Sequence, residues 1–376
     1  MRHLLELLCD VFCLEKNQGL VKNIIFLLLL LTYLKADEYH PGCNLWISSE
    51  GLAYSLFYLF VYFSIKFLRE ITYKRFLQLL ASIVALILCR TQFIVCLGML
   101  GCYILYLVFT KQIKMKRVFI FLMVTAVSMV VVSGFRNGYR SIADKTGLNT
   151  YSVLESRTNI YAYLTYEDVL KVENQSERQL LLDIYDEIVE KGYNYKDEEK
   201  WLDRVDSYYR NLLKLRNVVL SNVNHYVQEM GIEDGIEIDI MAGSLLERQV
   251  KILYPHLGLW VRDSLKSLPI TMIKMIAFYP EKPHMQFLRR LFMGYAVVIY
   301  GLYISANIAL FVQKRGVQIE NLFCIFLLIF TLVNAAVTEM FMCSLIRYVA
   351  YSFGLFHISG LLVLLALFRK PSFFSG

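Results

Sequence analysis

Charged residues are scarce in this sequence. They make up 19% of its 376 residues, against about 25% in a typical soluble domain, whereas hydrophobic residues reach 57%. This balance excludes a soluble enzyme, a disordered chain and a disulfide-rich secreted module. The sequence also lacks internal repeats, low-complexity stretches and Gly/Ser-rich linkers. The composition therefore predicts an all-α protein that crosses a membrane several times and carries one water-facing insert.

Cysteine and histidine give no indication of a metal centre. Most of the eight cysteines lie in or near apolar segments, where a thiol behaves as a small hydrophobe. No Cys/His spacing resembles a zinc site, and the six histidines form no cluster. The residues thus identify no metal ligands and no cofactor, and they leave open whether a divalent metal assists a reaction.

Charge-poor segments of the length needed to span a bilayer are numerous. The candidates are residues 20–34, 52–68, 76–89, 92–109, 117–134, 291–313, 321–339 and 346–368. They predict a polytopic helix bundle of about eight spans with three parts. Residues 1–134 form an N-terminal bundle of about five spans, 135–290 a helical insert with interfacial helices, and 291–376 about three C-terminal spans.

Basic residues set the predicted orientation, because cytoplasmic loops are enriched in Lys and Arg. Such residues cluster at 66–75, 111–117, 314–315 and 369–370, which eight spans place on one face. Residues 135–289 hold 20 Lys and Arg against 23 Asp and Glu, whereas the remainder holds 19 against 9. We therefore expect an extracytoplasmic insert. The absence of a clear set of glycosylation sequons favours a bacterial inner (plasma) membrane.

The insert has helical periodicity. Leu180, Leu181, Ile184, Ile188 and Val189 form one apolar stripe, and a second stripe continues through Val219 and Val223. Beyond it, residues 247–278 mix basic and large apolar groups. Pro255 and Pro269 are expected to break this stretch into short pieces along the membrane interface.

Several polar residues fall at the predicted outer face. Arg90 and Gln92 separate two apolar runs, and Arg347 precedes the last span. The carboxylates expected at the same face are Asp37, Glu38, Glu50 and Glu339. Arginine binds phosphate through a planar fork of donors, and a carboxylate can act as general base on a hydroxyl. A lipid-linked phosphosugar would supply the phosphate that arginine binds, and an acceptor hydroxyl would supply the proton that a carboxylate removes.

Simpler interpretations of these residues remain open at this stage. Arg90 and Arg347 can end helices and extend to lipid phosphates. Glu339 can pair with Arg347 across a turn, and Asp37 and Glu38 can be ordinary solvated loop residues.

Three stretches resemble the integral-membrane glycosyltransferases of the GT-C fold. In residues 48–93, Ser49-Glu50 opens a span and Arg90-Thr91-Gln92 is the turn that ends the next. Residues 134–169 are similar to the outer-loop entry of bacterial members. The ending EMFMCSLIRYVAYSFGLF resembles the last outer turn and span, with Arg347-Tyr348 in the usual Arg-Tyr position. The resemblance covers roughly residues 45–368 and rests on hydropathy and short motifs.

This resemblance implies transfer of a sugar from a polyprenyl-phosphate carrier to a glycan, lipid or protein acceptor outside the cytoplasm. Arg90, Arg347 and Tyr348 are then expected at the carrier phosphate, and Asp37 and Glu38 are the candidate catalytic carboxylates. The partners implied are this donor, the acceptor and the bilayer, with no nucleic acid. Residues 35–51 are shorter than the family's catalytic loop. The alignment therefore places that loop before Met1 and predicts a shortened or inactive copy.

Other functions fit part of the sequence. An O-antigen-type polysaccharide polymerase or ligase would use Arg and His of the insert, including His225 and His256, to hold a polyprenyl pyrophosphate. The net acidic insert disfavours it. A transporter needs polar or broken helices near the bilayer midplane, whereas residues 20–34 and 117–134 have almost no polar interior. A non-catalytic assembly subunit is the remaining alternative.

Overall fold

The computed structural model describes residues 19–34, 49–145, 158–194, 201–277, 285–314, 319–342 and 350–368. Within these ranges the regular secondary structure is helical and no β-strand occurs, which confirms the all-α prediction. The α-helices are α1 (Gly19–Leu34), α2 (Ser49–Arg69), α3 (Tyr73–Cys89), α4 (Val95–Phe109), α5 (Met115–Lys145), α6 (Tyr166–Leu170), α7 (Gln175–Glu190), α8 (Trp201–Glu229), α9 (Gly235–Ile252), α10 (Leu257–Ile276), α11 (Gln286–Gln313), α12 (Ile319–Met342) and α13 (Phe353–Phe368).

Five helical segments in the described ranges are long and apolar enough to cross a membrane. They are Leu52–Arg69, Gln92–Phe109, Met115–Tyr139, Phe287–Gln313 and Glu320–Val337. Each coincides with a predicted span, so the chain has the helices of a membrane protein. Only 17% of the third segment and 22% of the fourth are buried within the protein. These two segments therefore present most of their apolar surface to the surroundings, as lipid-facing helices do.

The other three predicted spans contain helices of 16 or 17 residues, namely α1, α3 and α13. At 1.5 Å per residue these helices reach about 24–26 Å, less than the roughly 30 Å of a hydrocarbon core. The count of about eight spans therefore remains a prediction, whereas five spans follow from helix length and composition.

The chain divides into two compact units, with boundaries near residues 132, 267, 338 and 343. Helices α1–α4, α11 and α13 belong to the first unit, which contains most of the five apolar segments. Helices α6–α9 belong to the second unit, and α5, α10 and α12 run across a boundary.

Aromatic side chains fill the core of the first unit. The Phe57 and Phe330 rings stack at 4.6 Å between centroids, and the rings of Phe76 and Phe121 stack at 4.0 Å. All four side chains are buried. Because lipid is as apolar as these rings, close packing rather than exclusion of water holds such helices together.

The second unit has its own apolar core, built from the predicted stripes. Leu180, Leu181, Ile184 and Ile188 are buried on α7, as the periodicity predicted, but Val189 is 42% exposed. Val219 and Val223 of α8 are also buried. Helix α7 begins at an Asn174 side chain that accepts the backbone N–H groups of Ser176 and Glu177, a standard N-cap arrangement.

The prediction that Pro269 breaks residues 247–278 into shorter pieces is wrong. Helix α10 runs through this proline, although a proline inside a helix costs about 3 kcal/mol. The residues that follow offset this cost, because Ile270, Ile273 and Ile276 are all buried. At Pro255, by contrast, a short 3-10 turn separates α9 from α10, as expected.

Candidate functional site

The described ranges contain half of the predicted site residues. Asp37, Glu38, Arg347 and Tyr348 lie outside the described residues. Glu50 lies in the first turn of α2 and Glu339 in the last turn of α12. Arg90 and Gln92 are described in full, so the turn that carries them is the part of the predicted site with known geometry.

Arg90 lies at a break between two apolar helices. Its backbone is extended (φ −151°, ψ 127°), and its N–H donates to the Leu86 carbonyl at 2.8 Å, which ends α3. A short 3-10 turn, Thr91–Ile94, then leads into α4. The side chains of Arg90 and Gln92 are both partly exposed. The Arg-Thr-Gln turn therefore ends α3, the helix in predicted span 76–89.

Three of the polar segments predicted for the outer face converge on one aromatic cluster. Phe93, three residues after Arg90, is fully buried, and its ring lies 5.0 Å from that of Tyr351 between centroids. The Tyr351 ring also lies 4.2 Å from that of Tyr54, which follows Glu50 by one helical turn. The first turns of α2, the turn after Arg90 and the 3-10 turn at Tyr351 therefore pack together through these three rings.

A second polar cluster lies within the second unit, around Asp168. This carboxylate is 1% exposed and is bound by three side chains. Lys171 Nζ lies 2.7 Å from Oδ1, whereas Thr165 Oγ1 and His256 Nε2 lie 2.6 and 2.7 Å from Oδ2. The Thr165 N–H also donates to Oδ2, and the Asp168 N–H donates back to Thr165 Oγ1, which forms a capping box at the start of α6.

These donors keep Asp168 ionised. Burial raises the pKa of this carboxyl, but hydrogen bonds from Lys171, Thr165 and His256 outweigh burial and lower the pKa to about 2. A negative charge is therefore present at neutral pH beside an imidazole that is only 19% exposed. Nε2 of His256 contacts the carboxylate, so Nδ1 is the ring nitrogen that can bind a further group.

Two tyrosine hydroxyls of the same unit make hydrogen bonds to residues of α9 and α10. The Tyr161 hydroxyl donates to Gln249 Oε1 at 2.7 Å, and burial raises the pKa of Tyr161, so this hydroxyl stays protonated. The Tyr163 hydroxyl donates to Asp263 Oδ2 at 3.3 Å. The other oxygen of Asp263 lies 3.2 Å from Arg262 Nε and 3.4 Å from Lys266 Nζ.

Sequence reasoning considered His256 only within the polymerase alternative and did not consider Asp168. The Thr165-x-x-Asp168 spacing is a visible capping signal, but it predicts a helix start rather than a functional carboxylate. His256, which contacts Asp168, lies 88 residues further along the chain. The periodicity of a sequence gives no information on such a distant contact. Among the described residues, no three His, Cys, Asp or Glu side chains are grouped to hold a metal ion.

Comparison of the chain with protein-family models, with curated proteins and with solved structures finds no match.

Proposed function

We propose that this chain is a multi-pass membrane protein of the GT-C type that transfers a sugar from a polyprenyl-phosphate carrier to an acceptor outside the cytoplasm. The observation that carries the proposal is the contact of Phe93 with Tyr351, which brings the Arg90 turn beside the segment that follows Arg347. Two guanidinium groups at one end of an apolar bundle suit a lipid phosphate at headgroup depth. The resemblance of Arg90-Thr91-Gln92 and Arg347-Tyr348 to that family supports the same assignment.

The proposed reaction needs a base as well as a phosphate site. Asp37 or Glu38 accepts the proton of the acceptor hydroxyl, whose oxygen then bonds to the anomeric carbon of the sugar. The bond from that carbon to the carrier phosphate breaks, with inversion. In this proposal Arg90 and Arg347 stabilise the charge left on the phosphate, and Glu50 and Gln92 are further polar groups proposed for the same site.

The topology proposed with this function has about eight spans in a bacterial plasma membrane. The basic loops face the cytoplasm, because they carry most of the excess positive charge. The insert, residues 135–290, and the turn at Arg90 face the opposite side, where the acceptor glycan, lipid or protein is available.

The direct test is sugar transfer from a polyprenyl-phosphate donor in reconstituted membranes. Arg90→Ala and Arg347→Ala are each expected to lower the rate at least about 100-fold, the loss typical of removing one preorganised donor. Arg75→Ala is the matched control. Arg75 lies in the first turn of α3, at the opposite end of this helix from Arg90, and pairs with Glu70 of the preceding loop at 2.9 Å. Equal rates in all three variants would remove the phosphate-site proposal.

A second candidate function has one specific observation in its favour. In a polysaccharide polymerase or ligase, a histidine of the insert would contact a polyprenyl pyrophosphate, and His256 is held in place by the buried Asp168. His256→Gln separates the two candidates. Loss of chain extension from a pyrophosphate-linked donor would favour the polymerase, whereas an unchanged rate from a monophosphate donor is expected for the transferase.

A further inference from the structure

We infer that a groove between α11 and α12 holds one acyl chain of an anionic phospholipid. The groove has a volume of about 350 Å³ and is lined mainly by Ile304, Ile308 and Phe311 of α11 and by Ile325 and Leu328 of α12. This volume lies within the range of about 300–1,000 Å³ typical of ligand sites. The inference concerns lipid and holds whether or not the chain transfers a sugar.

The polar groups in the groove are bonded to one another. Asn321 Nδ2 donates to the backbone oxygen of Asn307 at 2.9 Å and to its side-chain oxygen at 3.2 Å. Asn307 Nδ2 donates in turn to the Tyr303 carbonyl at 2.8 Å. The Tyr303 hydroxyl donates to the Cys324 carbonyl at 3.1 Å. Because these donors are used within the protein, the groove offers hydrocarbon walls and suits a hydrocarbon occupant.

The groove opens toward lipid. Both of its walls belong to segments long and apolar enough to span the membrane, Phe287–Gln313 and Glu320–Val337. Ile304 and Ile308 are 48% and 59% exposed, and Phe311 is 48% exposed. An acyl chain can therefore enter from the side without crossing a polar barrier.

The charge near the groove selects the headgroup. Lys314 is the C-cap of α11. Phe311 is three residues before Lys314, so the groove lies about one helical turn from this basic residue. A chain lying in the groove would place its phosphate near Lys314, and a basic residue at the membrane surface favours anionic lipid about fivefold.

Tryptophan quenching by brominated lipid tests this site. Phe311→Trp places a reporter in the groove, and Val312→Trp places one at the next position of the same helix, which is 66% exposed and lies outside the groove. Each variant is reconstituted in phosphatidylcholine with a small, increasing fraction of brominated phosphatidylglycerol. The fluorescence of the unsubstituted chain, with its three tryptophans, is subtracted.

The Phe311→Trp reporter is expected to reach half-quenching at about a fivefold lower fraction of brominated phosphatidylglycerol than the Val312→Trp reporter. Brominated phosphatidylcholine should quench both reporters equally. Lys314→Gln added to the Phe311→Trp chain should reduce the difference seen with brominated phosphatidylglycerol. Equal quenching of both reporters by both lipids would show that only bulk lipid fills the groove and would overturn the inference. Displacement of the brominated lipid by stoichiometric polyprenyl phosphate would also overturn it, because the occupant would then be the carrier.

Discussion

Asp168 joins two segments of the second unit through its two carboxylate oxygens. It closes the capping box with Thr165, pairs with Lys171 one turn later and contacts His256 in the 3-10 turn before α10. Buried carboxylates are tolerated only when such donors surround them. A single side chain therefore sets the position of the 3-10 turn relative to α6.

Asp168→Asn is expected to lower the free energy of unfolding of the second unit by about 2–3 kcal/mol. The amide keeps the volume but loses the charge that holds Lys171 and His256, and it leaves donors in that buried position without an acceptor. Thermal unfolding of the full chain in detergent measures the loss. Asp186→Asn, on the exposed face of α7, is the control and should change the stability by less than about 0.5 kcal/mol.

The contribution of Asp168 should also depend on pH. Its pKa is lowered from 3.8 to about 2, so folding favours the ionised form. The stabilisation is fully present above pH 3.8 and is lost as the pH falls through 2, an effect of about 2 kcal/mol. The stability difference between the unsubstituted chain and Asp168→Asn should therefore shrink between pH 4 and pH 2. A difference that stays constant over this range would show that the charge is not the source of the stability.

At the scale of helices, the break at Arg90 depends on the anchoring of Phe93. This ring is fully buried and lies 6.1 Å from the Phe57 ring and 5.0 Å from the Tyr351 ring, between centroids. The next residue, Ile94, is 55% exposed. The 3-10 turn thus points one apolar side chain into the core and the next one outward, which fixes the turn that carries Arg90.

Phe93→Ala is expected to destabilise the first unit by about 3–5 kcal/mol, because it leaves a cavity among packed rings. The proposed function adds a second expectation, that the variant lowers sugar transfer even below its melting temperature, since Arg90 loses its support. Ile94→Ala removes a similar apolar side chain from an exposed site and should leave both quantities nearly unchanged. Melting and transfer assays on the two variants give the comparison, and similar losses in both would contradict the anchoring role.

The helices themselves were largely predictable from the sequence, and their contacts were not. Five apolar segments have the length and hydropathy that a bilayer requires, and the stripe of α7 follows the helical repeat, apart from the exposed Val189. The course of α10 through Pro269 was not predictable, because the burial of isoleucines beyond the proline outweighs the tendency of proline to interrupt a helix. The convergence of Tyr54, Phe93 and Tyr351 was not predictable either, since it depends on tertiary packing between distant segments.

At the scale of the whole molecule, the proposed sugar transfer depends on the orientation of the chain in the membrane. Sugar transfer outside the cytoplasm requires the Arg90 turn and the second unit to face the non-cytoplasmic side, with the loop after α4 on the opposite side. The distribution of charge supports this arrangement, because residues outside 135–289 hold 19 basic groups against 9 acidic ones.

Labelling of single cysteines in intact cells, on a background in which the eight native cysteines are replaced, tests this arrangement most directly. Gln92→Cys and Ser176→Cys are expected to react with a membrane-impermeant maleimide added outside. Gln112→Cys, in the exposed loop between α4 and α5, should react only after the membrane is permeabilised. Reaction of Gln92→Cys and Gln112→Cys from the same side, or protection of Ser176→Cys in intact cells, would contradict the account.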